Sequence, residues 1–133
     1  MPPVEFHDHS DEVLEAFHNA TRVALEECGL TAERYAKKAC PVDNGTLRNS
    51  ITHTVDEAES AAYIGTNVEY AAYVELGTGK YYPGGRATPW VYQDEKGNWH
   101  RTEGHKAQPF LKPAVAGHPT VYRRIIEKHL GGE

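Results

Sequence analysis

The chain has 133 residues, of which 39% are hydrophobic and 25% charged, and it carries a formal net charge of −5. That is the length and composition of one globular domain with a single core. No apolar run is long enough to span a bilayer, and the acidic balance speaks against a surface built to grip phosphates.

Residues 1–9 hold two prolines and two histidines without periodicity and read as a flexible N-terminal arm. The opening Met1-Pro2-Pro3-Val4-Glu5-Phe6 has neither the basic start nor the apolar stretch of a secretory signal. After a cap at Ser10 or Asp11, small and apolar residues recur at Val13, Leu14, Phe17, Ala20, Ala24, Cys28, Ala32, Tyr35 and Ala39. Steps of three and four predict one long helix, with Gly29 as its weak point and Pro41 as its stop, because proline disfavours helical backbone at Cys40. On such a helix Cys28 and Cys40 stand about 18 Å apart, too far for a disulfide, and are expected to be reduced thiols of a chain made in the cytosol.

Asp43-Asn44-Gly45 is a turn signal, and Thr46-Leu47-Arg48-Asn49 fits one helical turn. Strands are predicted at 51–55 and 62–66, joined by the acidic loop 56–60 as a hairpin. Residues 67–76 fit a short helix capped by Asn67, with Tyr70, Tyr73 and Val74 facing inward. From Gly77 to Pro89 runs a long loop with four glycines and two prolines. It is expected to be mobile in the free protein and to order against a neighbour. Trp90–Gln93 and Trp99–Thr102 predict a second hairpin around the turn 94–98. Pro109–Pro113 reads as a rigid approach to a last helix over 119–130, whose face is Val121, Tyr122, Ile125, Ile126 and Leu130. The fold class is α+β. A long N-terminal helix and a C-terminal helix pack on a small antiparallel sheet of two hairpins, in a single domain over 10–133.

Catalytic chemistry has no visible constellation. Eight histidines are present, but no HExxH and no Cys/His set at zinc spacing, so they read as solvated and no metal is expected. Ser10, Ser50 and Ser60 lack a GxSxG setting, and Cys40 precedes a proline. Gly77-Thr78-Gly79-Lys80 touches the phosphate-binding pattern, yet Tyr81 stands where Ser or Thr belongs. The chain therefore reads as no enzyme, with no cofactor. A small hydrolase is the least favoured alternative.

Aromatic and basic residues interleave at Lys80, Tyr81, Tyr82, Arg86, Trp90, Trp99, Arg101 and Lys106. Single-strand-binding surfaces share this pattern, and so do protein interfaces. The acidic total favours the interface, with a nucleic-acid-binding adaptor using 80–106 as the alternative. Residues 1–80 carry 14 acids and 6 bases, residues 81–133 carry 5 acids and 8 bases. That division supplies complementary sides for head-to-tail contact between copies, with Arg123 and Arg124 joining Arg101 and Lys106 as interface candidates. Asp43, Gly45 and Leu47 are expected to form a structural turn anchored in the core. Tyr70, Tyr73 and Phe110 are expected in the core as well.

Three segments carry a resemblance. They are Ala36-Lys37-Lys38-Ala39-Cys40-Pro41-Val42-Asp43-Asn44-Gly45-Thr46-Leu47-Arg48-Asn49-Ser50-Ile51, then Ile64-Gly65-Thr66-Asn67-Val68-Glu69-Tyr70-Ala71-Ala72-Tyr73-Val74-Glu75-Leu76-Gly77-Thr78-Gly79, then Ala107-Gln108-Pro109-Phe110-Leu111-Lys112-Pro113-Ala114. Their order and spacing resemble the tail-component family of long-tailed, lambda-like bacteriophages and prophages, over roughly residues 10–130. Asn44 departs from the threonine common at that place and keeps the turn chemistry. The resemblance implies a structural protein of the virion neck without catalysis, either the tail-completion or terminator protein or an adjacent connector. It implies a ring of six copies between a head-side connector or stopper protein and the tail tube protein. Double-stranded DNA would pass through the lumen without specific binding, and no membrane is involved. Assembly is expected in the host cytoplasm.

Overall fold

The computed structural model describes residues 9–41 and 45–131. The expected arm, apart from His9, and Asp43 of the expected turn lie outside the described residues. The elements in chain order are α1 (Ser10–Ala39), α2 (Gly45–Ser50), β1 (Thr52–Asp56), β2 (Ala61–Gly65), α3 (Ala71–Leu76), a 3-10 turn (Gly79–Tyr81), β3 (Trp90–Gln93), β4 (Trp99–Thr102), α4 (Leu111–Ala116) and α5 (Pro119–Leu130). The fold class is mixed helix and strand, as the periodicity predicts.

Helix α1 runs unbroken for 30 residues through Gly29. Asp11 and Glu12 in its first turn and Lys37 and Lys38 in its last complement the helix dipole. Pro41 ends it as expected, because Cys40 is forced to extended backbone (φ −63°, ψ 138°). The buried positions Ala24, Cys28, Ala32 and Ala36 are small and four residues apart. This spacing makes one stripe on which other elements approach closely. The β1–β2 hairpin, α4 and α5 all pack against α1. In the hairpin, His53 pairs with Ile64 and Val55 with Ala62, and Ser60 takes a positive φ of 52° in the turn.

Four local expectations change. The hairpins form two separate two-stranded sheets, not one. β1–β2 lies on α1, whereas β3–β4 packs chiefly within itself. Helix α3 begins at 71 rather than 67, because Thr66 Oγ1 accepts the Val68 N–H (3.1 Å) and bends the chain there. Only Ala71 of α3 is buried, so Tyr70 and Tyr73 point outward, 39% and 52% exposed, against the expectation of core. Residues 111–116 form a short helix of their own, where Pro109–Pro113 reads only as a rigid approach to the last helix. Pro113 sits in its first turn, where a missing N–H costs nothing.

The main core comprises Ala36, Cys40, Leu47, Ile51, Ala71, Phe110 and Ala114, flanked by Tyr35, Ile64, Val68, Val74 and Leu111. Leu47 and Phe110 are fully buried, as expected of both. Both cysteines are buried and free. Burial raises both thiol pKa values above their ordinary range, which keeps them protonated and unreactive.

Candidate functional site

The three segments that carry the resemblance converge on this core. Ala36, Cys40, Leu47 and Ile51 come from the first, Ala71 from the second, Phe110 and Ala114 from the third. Glu75 joins the second to the third. Its carboxylate accepts the backbone N–H groups of Phe110 (3.1 Å), Leu111 (2.6 Å) and Lys112 (3.2 Å), which are the unpaired donors at the start of α4. Gln108 N–H donates to Val74 O alongside (2.8 Å). The motif residues of this core, with Glu75, thus hold the molecule together. Glu75 was not singled out from the sequence, since nothing local marks an acid whose partners lie 35 residues away.

Gly77-Thr78-Gly79-Lys80 proves to be a backbone crossing. Thr78 N–H donates to His105 O (2.8 Å), His105 N–H to Thr78 Oγ1 (2.7 Å), and Lys80 N–H to Glu103 O (3.1 Å). Its amides therefore serve protein carbonyls, not a phosphate. Gly77 (φ 88°) and Gly79 (φ 59°) adopt left-handed backbone, and a Cβ on Gly77 would meet His105 O at 2.8 Å. The glycines are needed for this close approach.

The crossing supports an arm made of the 79–89 loop and the β3–β4 hairpin. Lys80, Tyr81, Tyr82, Arg86, Trp90, Trp99, Arg101 and Lys106 all belong to it or to its base. Tyr82 tilts against Tyr73 of α3 (ring centroids 5.2 Å apart), and the Arg86 guanidinium sits 5.8 Å from the Trp90 ring. Tyr73, Tyr82, Arg86 and Trp90 line a shallow cleft with Gly79, Gly84 and Gly85. Tyr73 is the member that sequence reasoning placed elsewhere. Trp99 is 68% exposed, and Val91 and Tyr92 stand exposed on the partner strand.

The arm's charge is partly spent internally. Lys80 Nζ bonds Glu103 Oε2 at 2.6 Å. This hydrogen bond holds the Glu103 carboxyl below its ordinary range and the Lys80 ammonium above it. His100 Nε2 pairs with Asp94 Oδ2 (2.7 Å). Arg101 and Lys106 remain exposed. Arg123 and Arg124 are exposed on α5, which packs on α1, so the structure does not gather them with the arm.

Several histidines expected to be solvated have partners. His53 sits between two acids of α1, with Nδ1 3.1 Å from Glu33 and Nε2 3.0 Å from Glu26. His129 and Lys128 both bond Glu27 at 2.8 Å, and His118 stacks on Tyr35 with centroids 3.6 Å apart. Desolvation acts most strongly on His53 and lowers its pKa, but the hydrogen bonds and charges of Glu33 and Glu26 together outweigh it and raise the value. Among the described residues no group of three His, Cys, Asp or Glu side chains is placed to hold a metal ion. Nor is any helix of the described residues long and apolar enough to cross a membrane.

No curated protein and no solved structure matches the chain significantly. One family profile does, described as "Bacteriophage HK97-gp10, putative tail-component", over residues 5–77. The match takes in the first two converging segments almost entirely and stops before the third. Since it spans more than half of the chain, the protein belongs to the HK97-gp10-like family of bacteriophage tail components.

Proposed function

We propose that this chain is a non-catalytic, virion-associated subunit of the phage neck, acting in tail completion or as an adjacent connector that joins the DNA-filled head to the tail. It works as a ring of copies, six to match a sixfold tail, between a head-side connector or stopper protein and the tail tube protein. The observation that carries this reading is a complete small core beside large apolar side chains left facing solvent, in a chain of a phage tail-component family. Exposed apolar patches of this kind mark protein contacts. The arm is the surface for the neighbouring virion protein, with Tyr81, Trp90 and Trp99 as aromatic anchors and Arg101 and Lys106 at the rim. Pairing of Lys80 with Glu103 weakens the alternative that the arm grips single-stranded nucleic acid.

The test is to make particles without the protein and image them by electron microscopy. Full heads without tails, or tails of uncontrolled length, support a neck role. Normal infectious particles overturn it. Mass photometry of the pure chain gives the copy number.

A further inference from the structure

We infer that the N-terminal end of α1 docks head-to-tail into an apolar groove on a second copy of this chain. The inference rests on the ring reading above and assigns the two surfaces that make the contact.

Every described residue from His9 to Asn19 is exposed, and the body ends at His18 and Asn19, which line a small cleft with Glu57 and Ser60, so α1 extends beyond it by about 12 Å at 1.5 Å per residue. A short helical segment is marginal in water unless its apolar face is packed. Yet this end displays Val13 at 65% exposure and Leu14 and Phe17 at 55% each. Val13 and Phe17 lie on the line that continues through Ala20 to Ala24 and Cys28, the stripe that the chain's own elements bury. The apolar face therefore runs past the end of the body, and its last part lacks the cover that the rest receives.

The groove lies on the flank of the body between α1, β2, α4 and α5. It is an open space of about 300 Å³, lined by uncharged residues that include Leu25, Ala32, Ile64, Val115, Tyr122 and Ile126. Val115 and Ile126 are 52% and 39% exposed at its edge. The projecting end cannot fill it in the same molecule. Helix α1 is unbroken from Ser10 to Ala39, and Leu25 and Ala32 in the groove wall belong to that same helix. Only another molecule can bring such an end there.

Charge identifies that molecule as a second copy. Residues 10–19 carry Asp11, Glu12 and Glu15 and no lysine or arginine. Residues 111–130 carry Lys112, Arg123, Arg124 and Lys128 against one acid, Glu127. Lys128 is engaged with Glu27, but Lys112 and Arg123 are exposed, each three residues before a groove residue (Val115 and Ile126) on its own helix. An acidic apolar helix end therefore meets an apolar groove whose α4 and α5 edges are mainly basic, while the acids beside its Ser60–Ala62 edge already have partners, Glu57 in Arg22 and Glu59 in the Tyr63 hydroxyl. The two surfaces differ, so the contact is heterologous and passes from copy to copy, the kind that makes a ring when its rotation closes.

The test uses the full chain in a Cys28→Ala background, which removes the thiol in the groove. Leu14→Cys and Ile126→Cys chains are oxidised separately and mixed. A disulfide-linked dimer that forms in the mixture and in neither chain alone is the expected result. Phe17→Ser is expected to weaken self-association by about thirtyfold or more, the scale of a buried interface anchor, with an unchanged circular-dichroism spectrum. Leu14→Cys cross-linking to itself overturns the head-to-tail seating. Assembly untouched by Phe17→Ser overturns the docking and leaves the neck reading standing. A wild-type chain that remains monomeric and gives no mixed cross-link overturns the docking as well, and the particle-assembly experiment then decides the neck reading on its own.

Discussion

The junction around Leu47, Ile51 and Phe110 and the arm around Trp90 and Trp99 use aromatic and aliphatic residues in opposite ways. At the junction, segments from three parts of the chain bury their apolar side chains against one another, and Glu75 satisfies the backbone donors that the packing leaves open. In the arm, a four-residue hairpin pair stands on a glycine crossing and leaves Trp99 and Val91 in solvent. The resemblance is carried by the region that holds the fold together. The most exposed large apolar side chains, Trp99 and Val13, stand outside it, on the arm and at the start of α1, although Tyr70, Tyr73 and Leu76 of the second segment also face solvent. A motif can therefore identify a family without marking its most exposed apolar surface.

The contrast is broken most directly by truncation. Phe110→Ala is expected to cost about 3–5 kcal/mol in urea denaturation, because it leaves a cavity in the middle of the core. Trp99→Ala is expected to stay within about 0.5 kcal/mol, since the ring covers little of its own chain. Equal losses would erase the distinction between the two regions.

The link between the second and third segments is sharpened by Glu75→Ala. Three N–H donors at the start of α4 then lose their acceptor, at an expected cost of about 1–2 kcal/mol. Amide hydrogen exchange should quicken at 110–112 and stay unchanged in β3–β4.

A smaller effect is expected where β1 meets α1. A Cβ on Gly29 would meet His53 Cδ2 at 2.7 Å, and His53 is held there by Glu26 and Glu33. Gly29→Ala gains helix propensity worth about 1 kcal/mol but forces this ring to move. It is expected to destabilise the wild-type chain and to cost less in a His53→Ala chain, where only the Cβ of residue 53 remains, 3.2 Å from the new methyl. Thermal melts of the four combinations measure the difference.

The smallest effect is on pH dependence. His53 has a folded pKa above 6.5, so its contribution is complete below 6.5 and is lost as pH rises through the raised value. For Glu33, desolvation raises the pKa, but the bonds and charges of His53 and Lys37 outweigh it and hold the value below 4.5. Its contribution is present above 4.5 and disappears as pH falls through the lowered value. The His53–Glu33 pair is therefore at full strength between pH 4.5 and 6.5. Melting temperatures should decline above 6.5 in the wild type and less steeply in His53→Ala.

Much of this was legible in the residues, for local reasons. Steps of three and four located α1 and α5, Pro41 stopped α1 where expected, and alternation with turn residues located both hairpins to within one residue. The core roles of Leu47 and Phe110 followed from motif and hydrophobicity. The outward turn of Tyr70 and Tyr73 did not, because an aromatic at helical spacing looks the same whether or not another element covers it. The same holds for Val13, Leu14 and Phe17, whose periodicity continues although the body beneath them has ended.

Sequence alone determined α1, α5, both hairpins, the class of fold and the family, since these depend on backbone preferences and on patterns among neighbouring residues. Tertiary structure alone decided which apolar faces are covered, that Glu75 caps a helix 35 residues away, that Gly77-Thr78-Gly79 packs against the segment 103–105, and that the two hairpins stay apart. Each of these depends on contacts between segments distant in the chain, and no local spacing encodes which distant segment arrives.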